Sequence, residues 1–531
     1  MKNLAFFFLR IYFHHALSDK KTNINTLIMD TETDAPFSND DKSDSKDVVA
    51  SVDKKSFGRD LGKLVSGTVI AQIIAVCLTP IITRIFSPEI YGIFSVFVSL
   101  VSIITVVVCL RYELAIMLPK DEKDAGAIFI LCLIVLMCIS VICIPIMFFF
   151  GDTIATMLGC PDLKSYLFLI PIAVFVDGLY IALRYWNTRR KRFGTQATTQ
   201  ALQSVSLNGV QLGLGLSGFI SPGSLIIGKI SGNALGTLIL AYQAVRTDLR
   251  LLRDSFSIKR IWKQFIRYKK FPLLDTWGAW LNTLSGALPI FIFSIYFTST
   301  EVGYYTLGYQ ILFIPMTLIG ASIAQVFFQR ASIANHDGTL GDLVTTVTSS
   351  LASISIVPFS IFAVCGGELF SVVFGGEWYA AGVYAQILTL WIFLVFITSP
   401  ISSLTSVLEI QGFGLKMNLI TVVLRFAALV VGGVFGNIYL SLVLFMLSGV
   451  ILVGYSNYYY MKSSKGKIRD VLSHVKKYLI VSVILMCIFS AMVLCYVPNW
   501  IILISAGVCL VVYEIMLITK DKSVKKLLSM S

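Results

Sequence analysis

Charge is what this chain has least of. Only 14% of its 531 residues are Asp, Glu, Lys or Arg, while 56% are hydrophobic. Water-soluble domains carry roughly a quarter charged residues. With a mean hydropathy of +0.81, too little polar surface exists to coat a globule in water, which excludes a soluble protein. Histidine is nearly absent, with 4 residues. No HExxH, GxSxG or phosphate-cradling glycine loop occurs. The ten cysteines show no Cys-x-x-Cys or Cys/His spacing. Neither a metal site, a cofactor site nor a disulfide framework is therefore expected. Cys77, Cys109, Cys132, Cys138, Cys143, Cys365, Cys487, Cys495 and Cys509 lie in apolar runs. Cys160 alone falls in a loop, with no obvious partner. No loop between runs at the base-poor end is long enough to hold a soluble catalytic domain.

What is present is a series of long apolar runs. About 20 mostly apolar residues span a bilayer as a helix. In lipid, helices and closed barrels alone satisfy the backbone. These runs do not alternate, so they predict helices. The expected fold is an all-α polytopic membrane protein of about fourteen transmembrane helices. The expected spans are 64–84, 90–110, 125–150, 163–185, 196–217, 223–245, 273–297, 302–327, 345–370, 380–404, 416–435, 438–460, 477–496 and 499–518. The net charge of +13 sits in alternate loops. "RYELAIMLPKDEK", "RYWNTRRKRFG", "RTDLRLLRDSFSIKRIWKQFIRYKK" and "MKSSKGKIRD" are basic. "FGDTIATMLGCPDLKS", "SGFISPGS", "FTSTEVG", "FGGEWYAAG" and "YVPNW" are nearly free of Lys and Arg. Basic loops stay in the cytoplasm. The charge thus reads as orientation, not as nucleic-acid binding, and places both termini in the cytoplasm.

Residues 1–59 are expected to be a disordered cytoplasmic tail, polar and acidic in "MDTETDAPFSNDDKSDSKD". Arg10 interrupts the apolar core of "MKNLAFFFLRIYFHH", so a signal peptide is not expected. Translation from Met29 is a further expectation, checked by N-terminal sequencing of the natural protein. A six-helix lobe is expected over 60–245, a basic amphipathic cytoplasmic linker over 246–271, and a second lobe over 272–460. Two extra helices fill 461–518, with a basic tail at 519–531. In the linker, Ile258, Ile261, Trp262, Phe265 and Ile266 fall on one helical face among Lys259, Arg260, Lys263, Arg267, Lys269 and Lys270. That is the pattern of a helix lying on an anionic leaflet. "SPEIYGIFSVF" after the first span and "STEVGYYTLGY" after the seventh look related. Six helices per half make the halves parallel pseudo-repeats about an axis along the membrane normal.

Ionisable groups inside spans are costly and are functional candidates. Arg425 lies mid-span in "NLITVVLRFAAL", with Asn418 and Thr421 on its face. It either meets a ligand or pairs with a buried acid. Asp275 opens the seventh span and shares a face with Asn282. The alternative is an acid stabilised by the helix dipole. Lys229 lies two turns inside the sixth span and could snorkel. Asp177 precedes Arg184 by two turns, and the two could pair. Arg84 ends the first span, where snorkelling is again an alternative. Gln203 and Asn208 belong to a stripe with Gln196, Gln200, Ser204 and Gln211. That stripe faces either a watery cavity or neighbouring helices. Gly228, Gly232 and Gly236 mark a close-packing face.

Four stretches together carry a resemblance. They are "TPIITRIFSPEIYGIFSVF", "RYELAIMLPKDEKDA", "ALRYWNTRRKRFG" with "GSLIIGKISG", and "VFGGEWYAAGVYAQILTLW", where Gly376, Glu377, Trp378, Ala381 and Gly382 stand out. Over residues 60–518 the chain resembles polysaccharide flippases of the multidrug/oligosaccharidyl-lipid/polysaccharide superfamily. The resemblance implies a cavity between two six-helix lobes, with Arg84 near it. It implies translocation of undecaprenyl-pyrophosphate-linked repeat units across the bacterial inner membrane for O-antigen, capsule or exopolysaccharide. It implies no covalent chemistry and no cofactor. The implied partners are the lipid-linked oligosaccharide, membrane lipids, and polysaccharide polymerase and chain-length machinery. A multidrug exporter of the same superfamily and a polytopic polymerase or ligase are the alternatives. The mixed deep charges favour an anionic ligand over a drug cation.

Overall fold

The computed structural model describes residues 67–317 and 321–528. The expectations for residues 1–59, including the Met29 start, lie outside the described residues. The first lobe contains α1 (Gly67–Ile85), α2 (Pro88–Thr105), α3 (Glu122–Met157), α4 (Ile170–Arg189), α5 (Phe193–Leu216) and α6 (Pro222–Ser255). The linker helix Ile258–Arg267 and a π-helical turn, Phe271–Asp275, follow. The second lobe contains α7 (Thr276–Tyr296), α8 (Ser299–Pro315), α9 (Leu340–Phe374), α10 (Tyr379–Ile401), α11 (Gln411–Val434) and α12 (Ile438–Ser463). α13 (Ile468–Leu494) and α14 (Asn499–Lys520) complete the series.

Among the described residues, twelve helices are long and apolar enough to cross a membrane. α5 is not one of them, although its 24 residues give it the length. Its amide stripe lowers its hydropathy. Nor is α8, which has 17 residues; a separate helix, Ala321–His336, comes after it. α3, α6 and α9 run well past the apolar segments that announced them, to 36, 34 and 35 residues. Their polar ends project beyond the apolar belt.

The repeat is visible in the capping chemistry. Ser87 Oγ accepts from the Ile90 amide at the start of α2, and Thr298 Oγ1 accepts from the Glu301 amide at the start of α8. A side-chain oxygen at this position satisfies one of the amides a helix start leaves free. The equivalence therefore runs Ser87 to Thr298 and Gly92 to Gly303. In this register Glu89 and Glu301, third in each quoted stretch, sit one position apart. α2 and α8 pack against each other across the lobes, and the two glycines sit at the crossing. A Cβ on Gly92 would lie 1.7 Å from the Ser299 carbonyl oxygen, and one on Gly303 would lie 1.9 Å from that of Pro88. This reciprocal contact is what a two-fold relation between lobes requires.

α9 forms the spine of the second lobe, packing on α10, α13 and α14. α13 and α14 build a separate apolar core against it from Tyr478, Phe489, Ile502, Ala506, Tyr513 and Leu517. In the first lobe α5 and α6 pack tightly. A Cβ on Gly228 would meet Gln211 Cγ at 2.3 Å, and one on Gly232 would meet Leu207 Cβ at 2.7 Å. The glycine stripe of α6 is thus a close-packing face.

Candidate functional site

Besides the α2–α8 crossing, polar side-chain contacts tie the lobes together at each end of the bundle. At the base-poor end, α1 finishes against the last turn of α9. Arg84 Nη2 donates to the Val372 carbonyl at 2.9 Å. Thr83 Oγ1 donates to the Phe374 carbonyl at 3.1 Å, and the Trp378 indole donates back to the Thr83 carbonyl at 2.8 Å. The terminal carbonyls of a helix have no partners within it and carry its negative dipole end. A guanidinium supplies both a donor and the complementary charge. The local sequence builds this acceptor. Gly375, at φ 113°, ends α9 in a conformation that favours glycine. The turn Gly376–Trp378 then drops a fully buried indole against Tyr91 and Tyr304. A Cβ on Gly382 would lie 2.2 Å from the Gly366 carbonyl oxygen, so the same motif also sets the α9–α10 approach. Nearby, Ser294 Oγ donates to the Leu158 carbonyl at 2.5 Å, and Cys160 Sγ lies 3.7 Å from Ser299 Oγ. Cys160 is therefore buried in the inter-lobe seam. All ten cysteines are free thiols.

At the basic end, Arg111 Nε donates to Asp275 Oδ2 at 2.9 Å. This joins the α2–α3 turn to the start of α7. Arg111 and Leu110 both have positive φ, 61° and 48°, so the turn holds strained backbone. Glu113 is buried beside Arg111, at 3.5 Å, with its Oε2 unpartnered. Burial holds its carboxyl above the ordinary range, with Arg111 opposing. Behind this turn, Arg189 donates to the Ile116 and Pro119 carbonyls and to Glu122. Arg190 and Arg192 both reach Asp248, which also accepts from the Trp186 indole. The basic motif after α4 is thus largely neutralised within the protein.

Asp177, Asn233 and Gln203 form a chain across the first lobe. Asn233 Nδ2 donates to Asp177 Oδ1, and Gln203 Nε2 donates to Asn233 Oδ1. Asp177 does not pair with Arg184, which lies near the Tyr185 ring instead. Lys229 is one turn from Asn233 on α6 and forms no ion pair among the described residues. The rest of the α5 stripe is also engaged. Gln200 accepts from Thr68, Ser204 donates to the Ala71 carbonyl, and Gln211 donates to the Leu225 carbonyl. Asn208 is buried and donates back to the Ser204 carbonyl at 2.7 Å. The stripe reads mainly as adhesive between α5 and its neighbours, with Asp177 of α4 joined to it through Asn233 of α6.

Arg425 stands apart from these groups. Its guanidinium lies 5.1 Å from the Trp391 ring centroid and 5.6 Å from that of Phe445. Its Nε and the Trp391 indole nitrogen are both buried without partners. Among the described residues no acid pairs with it. The structure does not gather the sequence candidates into one cluster. Arg84 and Asp275 lie at opposite inter-lobe junctions, Asp177, Gln203 and Lys229 lie in one lobe, and Arg425 lies in the other. Thr83, Arg111, Glu113 and Asp248 were missed because they fall at span ends and turns, whereas Trp378 stood out in its motif without an assigned contact. Thr83, Arg111 and Glu113 did lie inside motifs that the sequence singled out.

Comparison with known proteins fits this architecture. The chain is 21% identical over 474 residues to a succinoglycan biosynthesis transport protein, ExoT, of Rhizobium meliloti (strain 1021). That alignment covers 85% of this chain and 91% of the relative. The fold matches a lipid II flippase, MurJ, in an inward closed conformation, with a TM-score of 0.61 and 14% identity, over 85% of this chain and 98% of the other. It also matches an inward-facing multidrug resistance MATE family transporter of the MOP superfamily, with a TM-score of 0.51 and 15% identity, over 76% and 94%. The named relatives are transporters and flippases, not enzymes. Its fold is thus the one seen in those two structures; the family model for polysaccharide biosynthesis proteins matches residues 81–383, more than half of the chain, and the chain belongs to that family.

Proposed function

We propose that this protein flips undecaprenyl-pyrophosphate-linked oligosaccharide repeat units across the bacterial inner membrane. The lobes would span roughly 60–245 and 272–460, with both termini in the cytoplasm and the base-poor end outside. A pyrophosphate and several sugars cannot cross about 30 Å of hydrocarbon unaided. The observation that carries the reading is the pair of separable inter-lobe junctions, Arg84 on α9 at one end and Arg111 on Asp275 at the other. Each includes polar contacts between the lobes, the base-poor one lying beside the packed α2–α8 crossing, and the lobes could rock as units as such contacts exchange. Arg84, Asp177, Lys229, Asp275, Arg425, Gln203 and Asn208 remain the proposed polar contacts of the transported headgroup. Loss of the protein is expected to stop surface polymer and leave lipid-linked repeat units on the inner leaflet. Normal polymer with raised drug sensitivity would instead support a multidrug exporter.

The outer junction gives a separate expected result. Hydrogen bonds to charged groups are worth ~1.5–3 kcal/mol. Arg84→Ala should therefore raise labelling of the seam thiol Cys160 by a membrane-impermeant maleimide about tenfold. The measurement is best made in a Cys495→Ser background, because Cys495 is exposed. An unchanged labelling rate would mean that Arg84 does not hold the junction.

A further inference from the structure

The linker helix Ile258–Arg267 presents three faces, where the sequence pattern suggested one apolar stripe. Ile261 and Gln264 are buried, Tyr268 beyond them is also buried, and this face packs on α3. Tyr112 Oη donates to the Phe265 carbonyl at 3.1 Å, and Arg260 lies 3.7 Å from Asp124. These contacts fix the helix on the protein. Ile258, Trp262 and Ile266, spaced four apart, point away from it and are 79%, 60% and 48% exposed. Trp262 is braced by stacking on Phe265. Lys259, Lys263 and Arg267, also four apart, form an exposed third face beside the apolar one. Lys259 and Lys263 make no ion pair among the described residues.

The apolar stripe does not stand alone. Leu249 and Phe256 before it, and Leu273, Leu274 and Trp277 after it, are exposed too. They belong to the end of α6 and its cap, the π-helical turn and the start of α7, so exposed apolar side chains lead from both flanking spans to the stripe. Keeping such surface in water costs ~25 cal/mol per Å². An apolar row level with the spans and a basic row beside it make an interfacial helix.

We propose that this helix is a docking surface for anionic phospholipid headgroups of the inner leaflet. Ile258, Trp262 and Ile266 enter the acyl boundary, and Lys259, Lys263 and Arg267 take the phosphates. Because the Phe265 carbonyl is tied to Tyr112, next to the Arg111–Asp275 pair, docking also steadies the basic-end junction. The proposal rests on membrane embedding and not on the identity of the transported molecule. Its failure would leave the flippase reading intact.

The test uses the full chain in nanodiscs of phosphatidylcholine, with or without phosphatidylglycerol, and follows amide hydrogen exchange across residues 257–270. Each basic residue near an anionic surface contributes ~1 kcal/mol, about fivefold. Exchange should slow about tenfold or more with phosphatidylglycerol. The difference should disappear at high salt and in the Lys259→Gln/Lys263→Gln/Arg267→Gln variant. Trp262→Ser should lose protection in both lipids. Exchange across α9 should be unchanged throughout, showing that the variants are folded. Equal protection in both lipids, or full protection in the triple variant, would overturn the proposal. Protection seen only in nanodiscs holding two chains would make a second copy the occupant and overturn it as well.

Discussion

Gly92→Val is expected to abolish polymer export, and Gly92→Ala to reduce it severely. A single Cβ at this position would sit 1.7 Å from the Ser299 carbonyl oxygen. The obstacle is backbone, so no side chain can rotate away. Carbon and its neighbours pack at about 3.5–4 Å, so α2 and α8 would have to separate by about 2 Å. That separation also pulls Tyr91 from Gln310, which its hydroxyl meets at 2.9 Å, and disturbs the Trp378 contacts behind it. Overpacking of this kind costs ~1–3 kcal/mol or more. Gly303→Ala should copy the phenotype, because its Cβ would meet the Pro88 carbonyl oxygen at 1.9 Å. Gly286→Ala is the control. It lies in α7 with open space around the new methyl, and alanine favours helix by ~1 kcal/mol. Export and membrane abundance are measured together for the set. Normal export in Gly92→Val would show that the crossing does not need to close.

The spans were legible because burial in lipid imposes one rule on every residue of a run. α12 and α14 begin where the apolar runs at 438 and 499 predicted. The α2–α8 relation was legible too, through Gly92 and Gly303, but its register was not. Capping by Ser87 and Thr298 sets that register, and a glutamate shared by two turns masked it. The junctions were largely hidden, for a physical reason. Arg84 acts on backbone carbonyls of α9, and an acceptor common to every residue leaves no mark in sequence. Asp248 neutralises Arg190 and Arg192 from far along the chain, a pairing that no local spacing announces. The α5 stripe was legible as polar, but its partners were not. An amide aimed at a cavity and one aimed at a neighbouring helix have the same spelling.

Arg425→Ala is expected to lower export at least about tenfold while leaving membrane abundance near normal. Arg425 lies fourteen residues into α11, about 21 Å along a helix of roughly 36 Å, too deep for its head to reach water by snorkelling. The sequence left open a buried acid as its partner, whose stranding would destabilise the fold. The structure offers Trp391 and Phe445 instead. A desolvated cation over aromatic faces gains ~2 kcal/mol, and the alanine variant loses that without leaving an uncompensated carboxylate. Membrane insertion should therefore survive. Two further substitutions separate charge from packing. Arg425→Lys keeps the cation but loses the planar stack, and should retain intermediate export. Arg425→Met keeps much of the volume, can pack on both rings, and loses the charge. Under the proposed role in meeting an anionic headgroup, methionine should export no better than alanine. Export restored by methionine at normal abundance would make Arg425 a packing residue of the second lobe and remove it from the substrate path.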